Sequence, residues 1–223
     1  MARRLARGEA TRAKIFTAAL ARFRKRGFEA TTMREVAEDA GVALGAAYYY
    51  FPSKDAIVLA YFDETQRMTA QRMAETFAET DDVRERLGAA FHARLDVLAR
   101  DRKLLSAIFH SIADPAKDIS IFGKKTKRVR DDSIRLFGRA VEPAPAFSAL
   151  DEAAKRVLVL SLWSLHMGVL LYFVHDRSKK QEKTRRLVDQ ALDMVCGLLP
   201  IAPELAPMIG GPIAAILKDA ELL

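Results

Sequence analysis

Thr32, Arg34, Tyr48, Tyr49 and Lys54 fall within 25 residues, 31 to 55, and their chemistry is that of holding an anion, not of breaking a bond. Hydroxyl, phenol and ammonium groups donate to phosphate oxygens, which positions a protein on a duplex, while base edges carry the sequence information. On that division Thr32, Tyr49 and Lys54 are expected to grip phosphates. Arg34, Leu44, Ala46 and Tyr48 are expected to approach base edges, the two apolar side chains through thymine methyls. Leu44, Gly45, Ala46 and Ala47 offer no hydrogen-bonding side chain, so direct readout should be modest and supplemented by DNA shape. The sequence holds no phosphate-binding glycine loop, Gly-x-Ser-x-Gly elbow, His-Glu-x-x-His pair or Cys-x-x-Cys, so no catalytic residue, cofactor or metal is expected. Its histidines, His92, His110, His166 and His175, are scattered.

These groups need elements that hold them out. Thr32-x-x-Glu35 is a capping-box pattern: the hydroxyl accepts from the third amide and the carboxylate reaches back to the cap amide, so a helix starts there. Met33, Val36, Ala37 and Ala40 recur at helical spacing, and Gly41 follows where a left-handed residue is needed. A second short helix runs from Leu44 to Tyr50, closed by Pro52, and Ser53 can cap the next. Two short helices joined by a turn containing Gly form a helix-turn-helix, whose second helix enters a major groove. Ala43 has no side chain to cap that helix, so the Gly41-Val42 turn or Asp39 must hold its start.

At Thr32, Arg34, Val36-Ala37, Ala40-Gly41-Val42, Gly45, Tyr48-Tyr49, Phe51 and Ser53-Lys54-Asp55, preceded by Arg26-Gly27-Phe28, the chain resembles the tetracycline-repressor (TetR-like) family of bacterial transcription regulators. The resemblance covers about the first fifth to quarter of the chain. Family members commonly carry Ser or Thr at the position of Ala43 and His at that of Tyr50. What the resemblance implies is a homodimer on DNA whose larger domain binds a small effector.

Charge agrees. Residues 1–54 hold 11 Lys or Arg against 5 Asp or Glu, and the remaining 169 hold 25 against 24, so the positive field sits on the helix-turn-helix. The single cysteine, Cys196, excludes an intramolecular disulfide and fits a reducing cytosol. The basic N-terminus, with Arg3, Arg4 and Arg7, leads into no apolar run, so it is not a signal peptide; it is either an arm over a minor groove or a disordered tail. The expected fold is all-α, with a DNA-binding domain at 1–54 joined by a long helix from Ser53 to a larger helical effector-binding and dimerisation domain at 55–223.

Within that larger domain the stretch from Val157 to Val174 carries no formal charge if His166 is neutral. It is long enough to span a membrane, but it stands alone and contains Ser161, Ser164 and His166, so a buried core helix is expected. At 100° per residue Val157, Ser161, Ser164, Leu165, Gly168 and Tyr172 share one face, whose small residues permit close approach. With Leu187, Val188, Ala191, Val195 and Leu198 of an amphipathic helix near 179–199 they make the expected dimer interface. The opposite face, with Trp163, His166, Met167 and Leu170, would meet Phe91, His92, Leu95, Phe109 and His110. Those residues describe either a filled core or a pocket for a mostly apolar, neutral or anionic effector, since no carboxylate stands among them. Two functions follow: a repressor released from a palindromic operator by a small ligand, or a constitutive architectural DNA-binding dimer. After about Pro200 the prolines predict a broken chain and a short helix from Pro212.

Overall fold

The computed structural model describes residues 2–219, without the side chains of residues 2–5, 110, 209–211, 214 and 216–218. These residues form eleven α-helices and, among them, no strand. The helices are α1 (Ala2–Arg26), α2 (Met33–Ala40), α3 (Leu44–Tyr50), α4 (Lys54–Glu79), α5 (Val83–Leu98), α6 (Arg102–Ala113), α7 (Lys127–Val141), α8 (Pro145–Ser148), α9 (Glu152–His175), α10 (Glu182–Leu198) and α11 (Ala202–Asp219). They sort into two compact units, one of Met1–Glu64 with Arg100–Arg128, the other of Thr65–Ala99 with Val129–Leu223.

The first unit is built on α1, whose Ile15, Ala19, Leu20 and Phe23 are buried at helical spacing. Arg24, Lys25 and Arg26 crowd its last turn, the end at which cations are favoured. Gly27, at φ 91°, ends it, and Phe28 folds back edge-on to Phe23 with ring centroids 5.2 Å apart. Helix α1 starts at Ala2, not near Glu9 as the pattern of apolar residues suggests; the basic first turns have no apolar stripe to announce them. The side chains of Arg3 and Arg4, expected as an arm, lie outside those described.

Helix α6 joins this unit, so the compact division does not follow the expected boundary at residue 54. The reason is polar. At its start the buried Asp101 accepts from Arg24 Nε at 2.5 Å and from the Tyr61 hydroxyl at 3.0 Å, and Ser111 donates to Glu29 at 3.1 Å. Leu104, Leu105 and Ile108 are buried on the same helix.

The second unit centres on α9. Val159, Leu160, Leu162, Trp163, His166, Val169, Leu170 and Phe173 are buried, while Ser161, Ser164, Gly168, Leu171 and Tyr172 are exposed. Two stretches, Glu152–His175 and Lys179–Met208, are long and apolar enough by composition to cross a membrane; the first is the core helix of this unit. Helix α5 pairs with α10 through Arg84 to Asp193 at 2.7 Å, His92 to Asp189 at 2.9 Å and Arg185 to Asp96 at 2.5 Å. Arg86 is buried, its guanidinium 4.2 Å from the Phe77 ring centroid, and donates to the carbonyls of Phe77, Thr80 and Arg139.

The prolines near the end do not break the chain: α11 runs continuously with Pro207 and Pro212 inside it. Each removes one backbone donor, and the short helix expected from Pro212 is the second half of a longer one.

Between α9 and α10 the chain turns on one carboxylate. Asp176 accepts from the Ser178 amide and hydroxyl at 2.8 and 2.7 Å, and from the Thr184 amide and hydroxyl at 2.9 and 2.7 Å. Burial opposes its ionisation, but the four donors outweigh burial and hold its pKa far below the usual carboxylate range. Because the folded-state pKa is the lower one, the stabilisation is complete above the unfolded value near pH 4 and is lost as pH falls below it. Asp176→Ala should therefore cost about 1 to 2 kcal/mol at neutral pH, and thermal melts taken from pH 6 to pH 2 should show the variant and the wild type converging on the acid side.

Candidate functional site

The recognition elements of the first unit are held by local bonds. Thr32 accepts from the Glu35 amide at 3.3 Å, and the Glu35 carboxylate accepts from the Thr32 amide at 2.8 Å, closing the capping box. Gly41, at φ 63°, sends its amide to the carbonyls of Ala37 and Glu38. Helix α3 has no side-chain cap, and Asp39 does not supply one. Instead Asp39 accepts from Arg22 Nε at 2.6 Å and Nη2 at 2.8 Å, while Glu35 accepts from Arg22 Nη1 at 2.8 Å, so one guanidinium ties α2 to α1. The bond from Arg22 holds the Asp39 carboxyl below its ordinary pKa, and the bonds from Thr32 do the same for Glu35.

Seen from α3, Ala47 is fully buried, whereas Tyr48 and Tyr49 are 48% and 81% exposed. Arg34 is exposed; Leu44 and Ala46 are half-buried. Two residues expected to grip phosphates are engaged otherwise. The Lys54 ammonium donates to the carbonyls of Phe28 at 2.7 Å and Glu29 at 3.2 Å and lies 4.7 Å from the Phe28 ring centroid. Burial is the first cause that lowers its pKa. The Thr32 hydroxyl is exposed, but it donates to Glu35 at 2.9 Å. These bonds fasten Thr32 and Lys54 within the unit, whereas Tyr49 makes no such bond among those described.

In the second unit a cavity of about 10 Å³ is lined by Thr69, Met73, Ala90, Arg94, Ser133, Leu136, Phe137 and His166. Of the residues expected around an effector, His166 lines it, and the Phe91 and Phe137 rings lie 5.8 and 5.3 Å from the imidazole. Trp163, Leu95 and Leu170 are buried, and Met167 is half-buried. His92 turns away to Asp189 on α10. Phe109 lies on α6, in the other unit, and the His110 side chain is outside those described. Sequence reasoning missed Arg94, Thr69, Met73 and Phe137. The signal was Arg94 itself, a cation three residues after Phe91 on the apolar stripe of α5.

The expected interface residues fall mostly on the outside of the chain. Ser161, Ser164, Gly168, Tyr172, Leu187 and Leu198 are exposed, and Val157, Leu165, Ala191 and Val195 are half-buried. Val188 is the correction: it is 1% exposed and belongs to the chain's own core with Leu192. Leu171, Met194, Ile201, Leu205 and Met208 are exposed as well. Among the described residues no three His, Cys, Asp or Glu side chains converge as a metal site would require.

Lys54 and Arg34 can now be set apart by experiment. Lys54→Met should lower the stability of the protein by about 1 to 2 kcal/mol, since it leaves two carbonyls without their donor, and should leave the salt dependence of DNA binding unchanged. Arg34→Ala should leave the melting temperature alone and reduce the slope of log affinity against log salt by about one. Thermal melts and titrations of labelled duplex at several salt concentrations read both.

Residues 15–61 match the family model of bacterial regulatory proteins of the tetR family, and residues 86–210 match the tetracyclin repressor-like C-terminal domain. The fatty acid metabolism regulator protein of Bacillus subtilis (strain 168) is 30% identical over 91 residues, 41% of this chain and 47% of that protein. The HTH-type transcriptional regulator TtgR of Pseudomonas putida is 35% identical over 107 residues, 48% of this chain and 45% of that protein. The chain thus spans about half the length of these curated relatives. The solved structure of the transcriptional regulator FadR from Bacillus subtilis in complex with stearoyl-CoA shares the fold, with a TM-score of 0.64 and 20% identity over 81% of this chain and 96% of that one. A TetR-family transcriptional regulator from Syntrophomonas wolfei gives a TM-score of 0.68 at 18% identity, over 84% and 95% of the two chains. With a family model on the helix-turn-helix and another on more than half of the chain beyond it, this chain belongs to the TetR family of transcriptional regulators.

Proposed function

We propose that the chain is a cytoplasmic repressor that binds a palindromic operator as a homodimer and is released when a small, mostly apolar effector enters the second unit. The observation that carries this reading is that α3 is presented to solvent: Tyr49 is 81% exposed on a helix whose opposite side, Ala47, is fully buried. Tyr48 and Tyr49 are exposed to meet phosphates and base edges, and Arg34 is exposed on α2. Leu171, Tyr172, Leu187 and Leu198 make an exposed apolar surface on α9 and α10 that needs cover, and a second copy supplies it. Two-fold symmetry then sets two recognition helices about one DNA turn apart, roughly 34 to 36 Å. The stearoyl-CoA bound by the Bacillus subtilis FadR supports an effector with a long apolar part here as well. Such a ligand shifts the dimer away from the DNA-binding state by its difference in affinity for the two states.

One observation favours a second reading, a constitutive architectural dimer. The cavity beside His166 holds about 10 Å³, room for a single water.

Gly168→Leu tests the dimer. Gly168 is exposed and a Cβ added there would meet nothing within 4 Å in its own chain, so the fold of the protomer should be little affected. A wedge repeated across a two-fold axis typically costs about 1 to 3 kcal/mol at each site. Sedimentation should show protomers, and affinity for an operator selected from a random duplex pool should fall with them. A dimeric variant of wild-type affinity would remove this face from the interface. For release, a panel of apolar ligands should change Trp163 emission and lower operator affinity over one concentration range; operator affinity indifferent to every ligand leaves the constitutive reading.

A further inference from the structure

The largely apolar cavity beside His166 also carries Thr69, Arg94 and Ser133, polar side chains for which an apolar effector alone would have no use. His166 is 3% exposed, and neither ring nitrogen has a hydrogen-bond partner. Most buried side-chain polar atoms find one, and an imidazole without any is costly to keep. Beside it Arg94, 9% exposed, donates to the Gln66 carbonyl oxygen, with the Thr65 and Thr69 hydroxyls at 3.5 Å; the Gln66 amide nitrogen is buried without a partner. Burial and the Arg94 charge keep the His166 imidazole neutral, so it offers one N–H donor and one acceptor.

One cavity is therefore lined by both a cation, Arg94, and an imidazole donor, His166, and the Gln66 side chain that accepts from Arg94 carries a further donor, its amide nitrogen. Met73, Leu136 and Phe137 form the rest of the wall. Donors with a positive charge match a carboxylate, which accepts through two oxygens and gains most from charge-assisted bonds. Met73 is unbranched, with three rotatable bonds, and can re-pack around something larger than water.

Resting on the reading of this unit as an effector domain, we propose that Arg94 and His166 form the anchor of an effector that is an amphipathic carboxylate, its anionic end in the cavity and its apolar body among Met73, Leu136 and Phe137. The anchor makes the effector acidic, not merely apolar. It also accounts for the unsatisfied imidazole: the group lacks a partner because its partner is the ligand.

Decanoate and 1-decanol, which share an apolar chain and differ in the end group, test this on the full-length protein. Trp163 lies three residues from His166 on α9, and its emission reports binding. Decanoate should shift that emission and raise the melting temperature, while decanol should bind roughly tenfold or more weakly, the worth of one charge-assisted bond. Arg94→Gln should bring acid and alcohol level. His166→Phe, among the Phe91 and Phe137 rings, should raise the melting temperature without ligand while weakening decanoate by roughly tenfold. Equal affinity of wild type for acid and alcohol overturns the anchor and leaves an apolar effector site standing. No response to either overturns the anchor and assigns the cavity to a bound water; the operator-release experiment then judges the effector domain by itself.

Discussion

A helix of seven residues cannot hold itself. Nucleating the first turn fixes several residues for one hydrogen bond, and short helices gain stability mainly from what they pack against. Helix α3 has no side-chain cap at Ala43, so its position is decided by its neighbours. Ala47 is buried on its inner side, and Phe51, where it ends, lies under Arg12 at 4.8 Å and beside Phe16 at 6.3 Å. Helix α2, which sets the entry to α3, is pinned by Arg22. The Lys54 ammonium secures the loop after α1. The chemistry available to a duplex is what remains after these bonds have been made.

That remainder is smaller than the charge suggests. The excess of cations in residues 1–54 includes Arg22, Arg24 and Lys54, whose charges are answered by Asp39 and Glu35, by Asp101, and by two backbone carbonyls. Net charge still steers a polyanion toward the segment. Net charge does not show that several of these cations are bonded to residues far apart in the chain.

The division between legible and hidden follows sequence separation. The capping box at Thr32 and Glu35, the left-handed Gly41, the end of α1 at Gly27 and the two-sided pattern of α9 are set within a turn or two of helix, so the sequence displays them. Hidden were contacts such as Lys54 to Phe28, Asp101 to Arg24 and Arg94 to Gln66, because helical periodicity says which residues share a face and not which faces meet. Arg94 shows the cost of treating every cation as solvent-exposed. It sits on the stripe of Leu87, Ala90, Phe91, Leu95 and Leu98 and is buried with them. Val188 was misassigned for a similar reason: an amphipathic helix has one apolar stripe, and periodicity alone does not say how much of it the chain's own core takes.

The chain buries Arg86 and Asp176 among hydrogen-bond partners and His166 without any. Arg86 is buried with both terminal nitrogens on backbone carbonyls, and Asp176 is buried with four donors around it. Asp176 thus replaces water with protein donors on both oxygens, and Arg86 does so at its two terminal nitrogens while its Nε is left without a partner. His166 is buried to the same degree with none. It lies on α9, whose far side carries the exposed Ser161, Ser164, Gly168 and Tyr172, so one helix carries both surfaces of interest. Close-packed elements move as bodies and do not deform continuously. Anything that enlarges the cavity by pressing on the inner face of α9 therefore displaces its outer face, with Ser161, Ser164 and Gly168, as well.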